Sequence, residues 1–206
     1  MNNCHSIWLP RLSERLELIK NLETSLALSI PITIFNAFDG TQHTKEFEHF
    51  KHVRATEKIN AGMIGCLLSH LELLKNTKSD ITIFEDDCTF HGNREELQSF
   101  INNAPEFDIL CLGVSEDVET QVETSEYNRI FRFWGAHALI VKESAAQKIV
   151  STFEKYANQQ KFLPADWLYS YAIKEHNLKA YVPKKINRFF DYKRGIYSAI
   201  ANRIRY

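Results

Sequence analysis

Strands alternating with helices along most of the chain predict an α/β domain with a mostly parallel central sheet flanked by helices. Three observations carry this reading. Apolar runs of strand length at 4–9, 30–37, 81–84, 108–113 and 178–182 are separated by segments with helical spacing. The run Ile81-Thr82-Ile83-Phe84 lacks polar alternation, as expected of a strand covered on both faces. It ends in Glu85-Asp86-Asp87, and open α/β sheets bind ligands outside the carboxyl ends of their strands.

The elements follow in order. Residues 4–9 form the first strand, which Pro10 breaks. Over 12–28, Leu12, Leu16, Ile19, Leu22 and Leu26 recur at helical spacing, with Ser13 placed to cap the start. A second strand over 30–37 closes with Phe38-Asp39-Gly40. Residues 41–58 are polar, contain three histidines and read as a mobile loop. Residues 62–76 form a helix with Ile64, Leu67, Leu68, Leu71 and Leu74 as its apolar stripe. After the acid-tipped strand, 95–102 reads as a helix and 108–113 as a buried strand. Residues 114–126 hold five acids and no base, which predicts a solvated loop. Strands at 129–134 and 137–141 flank a Gly135-Ala136 turn. Helices at 143–156 and 164–175, the latter with Pro164 near its start, precede the last short strand at 178–182.

At 206 residues the chain is long enough for one domain with a full core. No apolar run approaches the roughly 18 residues of a membrane span. No basic region followed by an apolar stretch opens the chain, so a signal peptide is not expected. Cys4, Cys66, Cys88 and Cys111 are scattered, which suggests free thiols in a reducing cytoplasm. The net charge of −1 is uneven. Residues 184–206 hold seven Lys/Arg and one acid, Asp191, for a local +6, so the remainder carries −7. This segment also contains Phe189, Phe190, Tyr192, Tyr197 and Tyr206. Its composition suits an anionic membrane surface, nucleic acid, or a segment that packs its aromatics on the domain. Nucleic acid is the weakest of these, because the acidic body repels phosphate.

Three adjacent carboxylates repel one another and gain nothing from burial. Either they form a solvated turn or they hold a divalent cation, and oxygen ligands favour Mg²⁺ or Mn²⁺. No second acidic cluster supports a metal phosphohydrolase.

Four stretches, in order, resemble glycosyltransferase family 25, which includes lipo-oligosaccharide and collagen galactosyltransferases. They are Gly65-Cys66-Leu67-Leu68-Ser69-His70-Leu71, Phe84-Glu85-Asp86-Asp87, Gly135-Ala136-His137-Ala138-Leu139-Ile140 and Pro164-Ala165-Asp166-Trp167. Asp39-Gly40 is a weaker match, and the likeness runs from about Ser6 to Pro183. Members usually carry an Asn-Leu-Asp type ending on the first strand; here Leu9-Pro10-Arg11-Leu12 stands instead.

The resemblance implies a GT-A catalytic domain over 1–183, followed by the basic, aromatic segment 184–206. It implies inverting transfer of a sugar, galactose by default, from a UDP-sugar donor. The expected setting is lipo-oligosaccharide or other surface glycan synthesis, in the cytoplasm or at the inner face of a membrane. A protein acceptor of collagen or capsid type is an alternative, as is a noncatalytic sugar-nucleotide binder.

On that footing each site residue has an expected role. A cation at the diphosphate stabilises leaving-group charge, so Asp87 and Glu85 are the expected metal ligands. Asp86 is expected at the ribose or donor sugar. Arg11 and Arg15 are expected at phosphate, and Asp39 at uracil or ribose; the alternatives are a solvated Arg at a helix start and an ordinary turn Asp. Ser69, His70 and Gly135 belong to the donor side. Gly62, Cys66, Ser69 and Leu73 share one helical face whose small residues permit close approach. Inverting transfer needs a base opposite the leaving group. Asp166 is the first candidate, unless it merely caps its helix, and His137 is the second, as base or metal ligand. Trp167 is placed to stack on the acceptor sugar.

Overall fold

A computed structural model describes residues 3–27, 31–115, 118–193, 197–198 and 203–204. The elements are β1 (Cys4–Trp8), α1 (Arg15–Leu26), β2 (Thr33–Asn36), β3 (Lys51–His52), α2 (Ala61–Asn76), β4 (Ile81–Glu85) and β5 (Cys88–Phe90). Then come α3 (Arg94–Asn102), β6 (Ile109–Gly113), β7 (Glu119–Val122), β8 (Tyr127–Arg132), β9 (Ala138–Val141) and α4 (Glu143–Ala157). The remainder are β10 (Lys161–Phe162), α5 (Ala165–His176), β11 (Ala180–Pro183), β12 (Phe190–Tyr192), β13 (Tyr197–Ser198) and β14 (Arg203–Ile204).

Eight strands form one sheet in the order β2-β1-β4-β9-β6-β11-β8-β7. Only β9 and β8 run against the other six, so the sheet is mostly parallel in direction. The buried strands alternate between two cores, which is why their sequences show no polar alternation. Ile81 and Ile83 of β4, with Ile109 and Cys111 of β6, face a core closed by α2, α4 and α5. Phe84, Leu110 and Leu112 face the other core, closed by α1, α3, Phe189 and Phe190. No helix among the described residues is long and apolar enough to cross a membrane, and all four cysteines are free.

Three local expectations are corrected, and the placement of the strands around Gly135 is defined. The helix α1 begins at Arg15 behind Glu14, and Ser13 does not cap it. Residues 41–58 are packed: two 3₁₀ turns lead into β3, which pairs with β10. Phe47 anchors the segment, its ring 5.5 Å from that of Phe162. Residues 119–122 form an exposed edge strand, held by its backbone ladder to β8; burial leaves no pattern there to read. The strands flanking Gly135 do not pair with each other: β9 lies between β4 and β6, while β8 lies beyond β11.

Residues 184–193 pack on the domain. Phe189 and Phe190 are fully buried, and β12 pairs with β5. Packing of aromatics on the body therefore describes this part of the basic segment. Residues 194–196, 199–202 and 205–206 lie outside the described residues, and so does the expected membrane contact there.

The turn after β2 meets α2 backbone to backbone. A Cβ at Gly40 would sit 1.9 Å from the Ala61 carbonyl oxygen, and one at Gly65 would sit 2.5 Å from that of Phe38. Backbone cannot swing aside as a flexible side chain can. Gly40→Ala is expected to cost about 3 kcal/mol. Thermal denaturation checks this, with a fall in Tm of about 6–12 °C for a chain of this size.

Candidate active site

The acids leave β4 at its carboxyl end and enter a cleft walled by β1, the turn after β2, and α2. Leu9, Arg11, Arg15, Phe38, Gly62, Cys66, Ser69 and His70 line it together with Glu85, Asp86 and Asp87. A second cavity adjoins it, lined by Glu57, Ser115, Trp134, Gly135 and Asp166. Cys66 and Glu85 line both, so they form the partition between them.

The three acids divide two ways at the end of β4: Glu85 and Asp87 converge, and Asp86 in the turn between them faces Arg15. Glu85 points toward α2 and β9. Its Oε2 lies 3.3 Å from His137 Nδ1, and its Oε1 lies 3.8 Å from His70 Nε2. Burial opposes ionisation of Glu85, but the two histidines outweigh it and hold the carboxyl well below the usual range. Asp87 is buried, and its carbonyl accepts a hydrogen bond from Lys193 N at 2.7 Å. Ligand atoms of Glu85, Asp87 and His137 lie within 4.8 Å of one another. Two carboxylates and one imidazole fit Mn²⁺ or Mg²⁺.

Asp86 turns the other way, into a buried ion pair with Arg15, and accepts from Leu9 N at 3.2 Å. Burial pushes its pKa up to about 6, against the pull of Arg15 and with a further push from Asp87. Removing one member of such a pair costs about 3–5 kcal/mol. Arg15 and Asp86 thus fasten the start of α1 to the end of β4 while lining the cleft. Arg15 is not a solvated helix-start arginine: it is 6% exposed.

Arg11 and Asp39 also meet each other, Nε to Oδ2 at 3.2 Å, near the surface. Hydrogen bonds from Thr41 hold the Asp39 carboxyl below its usual range. Arg11 lines the cleft, whereas Asp39 caps the following 3₁₀ turn. Ser69 reaches the cleft but is committed locally, donating to Gly65 O at 2.6 Å and accepting from Phe38 N at 3.0 Å. The expected small face of α2 is present: Gly62, Cys66 and Ser69 line the cleft, while Leu73 is buried in the core.

Asp166 lies in the first turn of α5 and lines the second cavity with Glu85. Its Oδ2 accepts from Gly135 N at 3.0 Å and its Oδ1 from Trp167 N at 2.9 Å. Burial raises its pKa, and the charge of Glu85 adds to that. Gly135 adopts φ +66°, and a Cβ there would lie 2.8 Å from His137 Nε2. Trp167 packs edge-on to Trp134, with ring centroids 4.9 Å apart, and Arg54 lies over both rings.

Trp134, Arg54 and Tyr169 were not expected at the site. Trp134 adjoins Gly135 in sequence, so proximity to that motif could have flagged it. Tyr169 bonds His70 from 99 residues away, with no local signal. Neither does any local signal bring Tyr192 to within 5.2 Å of the His137 ring.

Fold and site define an α/β protein with an acid-and-histidine cluster at the carboxyl end of a central strand. The sequence model of glycosyltransferase family 25, described as an LPS biosynthesis protein, matches residues 1–136. The chain belongs to this family, and its central sheet is mostly parallel in direction and flanked by helices. No curated protein matches it in sequence. Among solved structures, mouse xyloside xylosyltransferase 1 is similar with TM-score 0.46 and 11% identity, covering 87% of this chain and 71% of that one. A putative glucose-1-phosphate thymidylyltransferase from Bacillus anthracis gives TM-score 0.44 and 9% identity over 86% and 66%. Mannose-1-phosphate geranyltransferase from Thermus thermophilus gives TM-score 0.35 and 13% identity over 78% of this chain. The present chain spans about half (54%) of the length of that last protein.

Proposed function

We propose that this glycosyltransferase moves a sugar, galactose favoured, from a UDP-sugar to a glycan or glycolipid acceptor with inversion, in the synthesis of a surface glycan. One observation carries the reading: ligand atoms of Glu85, Asp87 and buried His137 converge within 4.8 Å at the end of the central strand, where Glu85 and Asp87 line the cleft. Those three residues would hold Mn²⁺ or Mg²⁺. When bound, the cation supplies Lewis-acid stabilisation of charge on the leaving diphosphate, worth several kcal/mol.

The chain's own residues do the rest. Arg11 offers a guanidinium to phosphate at the cleft mouth. The Arg15–Asp86 pair holds the floor of the nucleotide side. Across the Cys66–Glu85 partition, Asp166 accepts the acceptor hydroxyl proton, and Trp167 acts on the acceptor side by backing Trp134, which lines that cavity. His137 serves as a ligand in this reading, because its Nδ1 is turned toward Glu85. Contact with an anionic membrane is assigned to the cations beyond Lys193.

Thermal unfolding with UDP and Mn²⁺ tests the reading. Ligand at about 100 times its Kd adds about 2.7 kcal/mol, so Tm rises by roughly 5–11 °C. The rise requires both components. No shift with both at saturation would overturn the metal–nucleotide site.

A further inference from the structure

Cys66, His70 and Glu85 form a second ligand set, distinct in its chemistry from the first. Their ligand atoms lie within 4.8 Å of one another. Cys66 and His70 are one turn apart on α2 and so project from the same face. Both approach the same carboxylate oxygen, Glu85 Oε1: Cys66 Sγ at 3.7 Å and His70 Nε2 at 3.8 Å. The other oxygen, Oε2, is the one that faces His137. Glu85 therefore offers one oxygen to each group.

His70 supplies the independent observation. It is fully buried, and its Nε2 has no hydrogen-bond partner. Buried polar atoms are normally hydrogen-bonded; the charged group facing this one is Glu85 Oε1, at 3.8 Å. Its far nitrogen, Nδ1, is 2.9 Å from the Tyr169 hydroxyl. Metal-binding imidazoles are held in this way, with one nitrogen fixed by an outer partner and the other aimed at the metal. Both cavities reach Cys66 and Glu85, which provides an entry path and an open position.

The geometry points to a soft-cation site in which Cys66, His70 and Glu85 bind Zn²⁺ or Co²⁺ beside the position at Asp87. Sulfur, imidazole and carboxylate together suit Zn²⁺, while the oxygen-rich set at Asp87 suits Mg²⁺ or Mn²⁺. On binding, the Cys66 thiol releases its proton to solvent and the sulfur bonds to the metal. The inference shares Glu85 with the proposed donor site but does not depend on the transfer reaction.

Co²⁺ titration of the metal-free full chain tests it. The expected result is a thiolate-to-Co²⁺ charge-transfer band in the near ultraviolet. The band persists in Asp87→Asn and disappears in Cys66→Ser. Tyr169→Phe weakens Co²⁺ affinity by about 10-fold or more, because the outer partner of His70 is lost. Equimolar Zn²⁺ protects Cys66 of the wild-type protein from alkylation by iodoacetamide, read by peptide mass; this arm needs no folded variant. Absence of the band together with unprotected Cys66 overturns the site. So does a band that survives Cys66→Ser. Loss of the band in folded Asp87→Asn would merge the two positions into one and overturn their separation. Loss of transfer in Asp87→Asn with the band retained keeps this site separate from the fate of the donor-metal reading.

Discussion

Asp87→Asn is expected to lower kcat/KM for sugar transfer by about 10³-fold or more, which is about 4 kcal/mol at 1.36 kcal/mol per decade. The substitution preserves shape and removes one negative charge from a set that would neutralise a divalent cation. Asp87 is 4% exposed, so water does not readily replace the lost charge. The fold should survive. Asp86 keeps its bonds to Arg15 and Leu9 N, and one carboxylate repulsion beside it disappears. Steady-state kinetics at saturating Mn²⁺, with Tm measured in parallel, checks both halves. Full activity in the variant would remove Asp87 from the metal position.

Asp166→Asn is expected to lower kcat by about 10²–10⁴-fold, the range of a lost general base, with donor KM unchanged. The cleft proposed for the donor does not include Asp166, which lies across the Glu85 partition. The wild-type pH profile should carry the same signature. Burial raises the Asp166 pKa, so the acid limb of kcat/KM lies above the ordinary carboxylate value of about 4, and activity rises with pH through it. That limb is absent from the residual activity of the variant. The stability effect has a defined sign. The folded state holds this proton more tightly than the unfolded chain, so stability falls as pH rises from the unfolded to the folded pKa. The variant lacks that fall. A change confined to donor KM would exclude Asp166 as the base.

Much of the site was legible because its signals are local. An unbroken apolar run reports a strand covered on both faces, and β4 is such a strand. Charge repulsion among Glu85, Asp86 and Asp87 depends only on their adjacency. Likewise, Gly62, Cys66 and Ser69 share a face because helical spacing places them there. Other features left no local trace. The edge strand β7 is exposed along its length and held by backbone bonds, so its sequence reads as a solvated loop. Residues 41–58 are ordered through Phe47 and Phe50, which meet one another, and through the contact of Phe47 with Phe162, far along the chain.

By itself the sequence determined an α/β sheet and an acid cluster at the end of its central strand, since period, turn chemistry and charge act between near neighbours. It also carried the motifs of the family. Tertiary structure alone decided what each acid does. Asp86 meets Arg15 across 71 residues, and Glu85 meets His137 across 52. Those meetings follow from strand register: β4 lies between β1 and β9, so its tip is flanked by the start of α1 on one side and by His137 on the other. Pairing register is settled by the collective burial of both sheet faces, and no single segment contains that information.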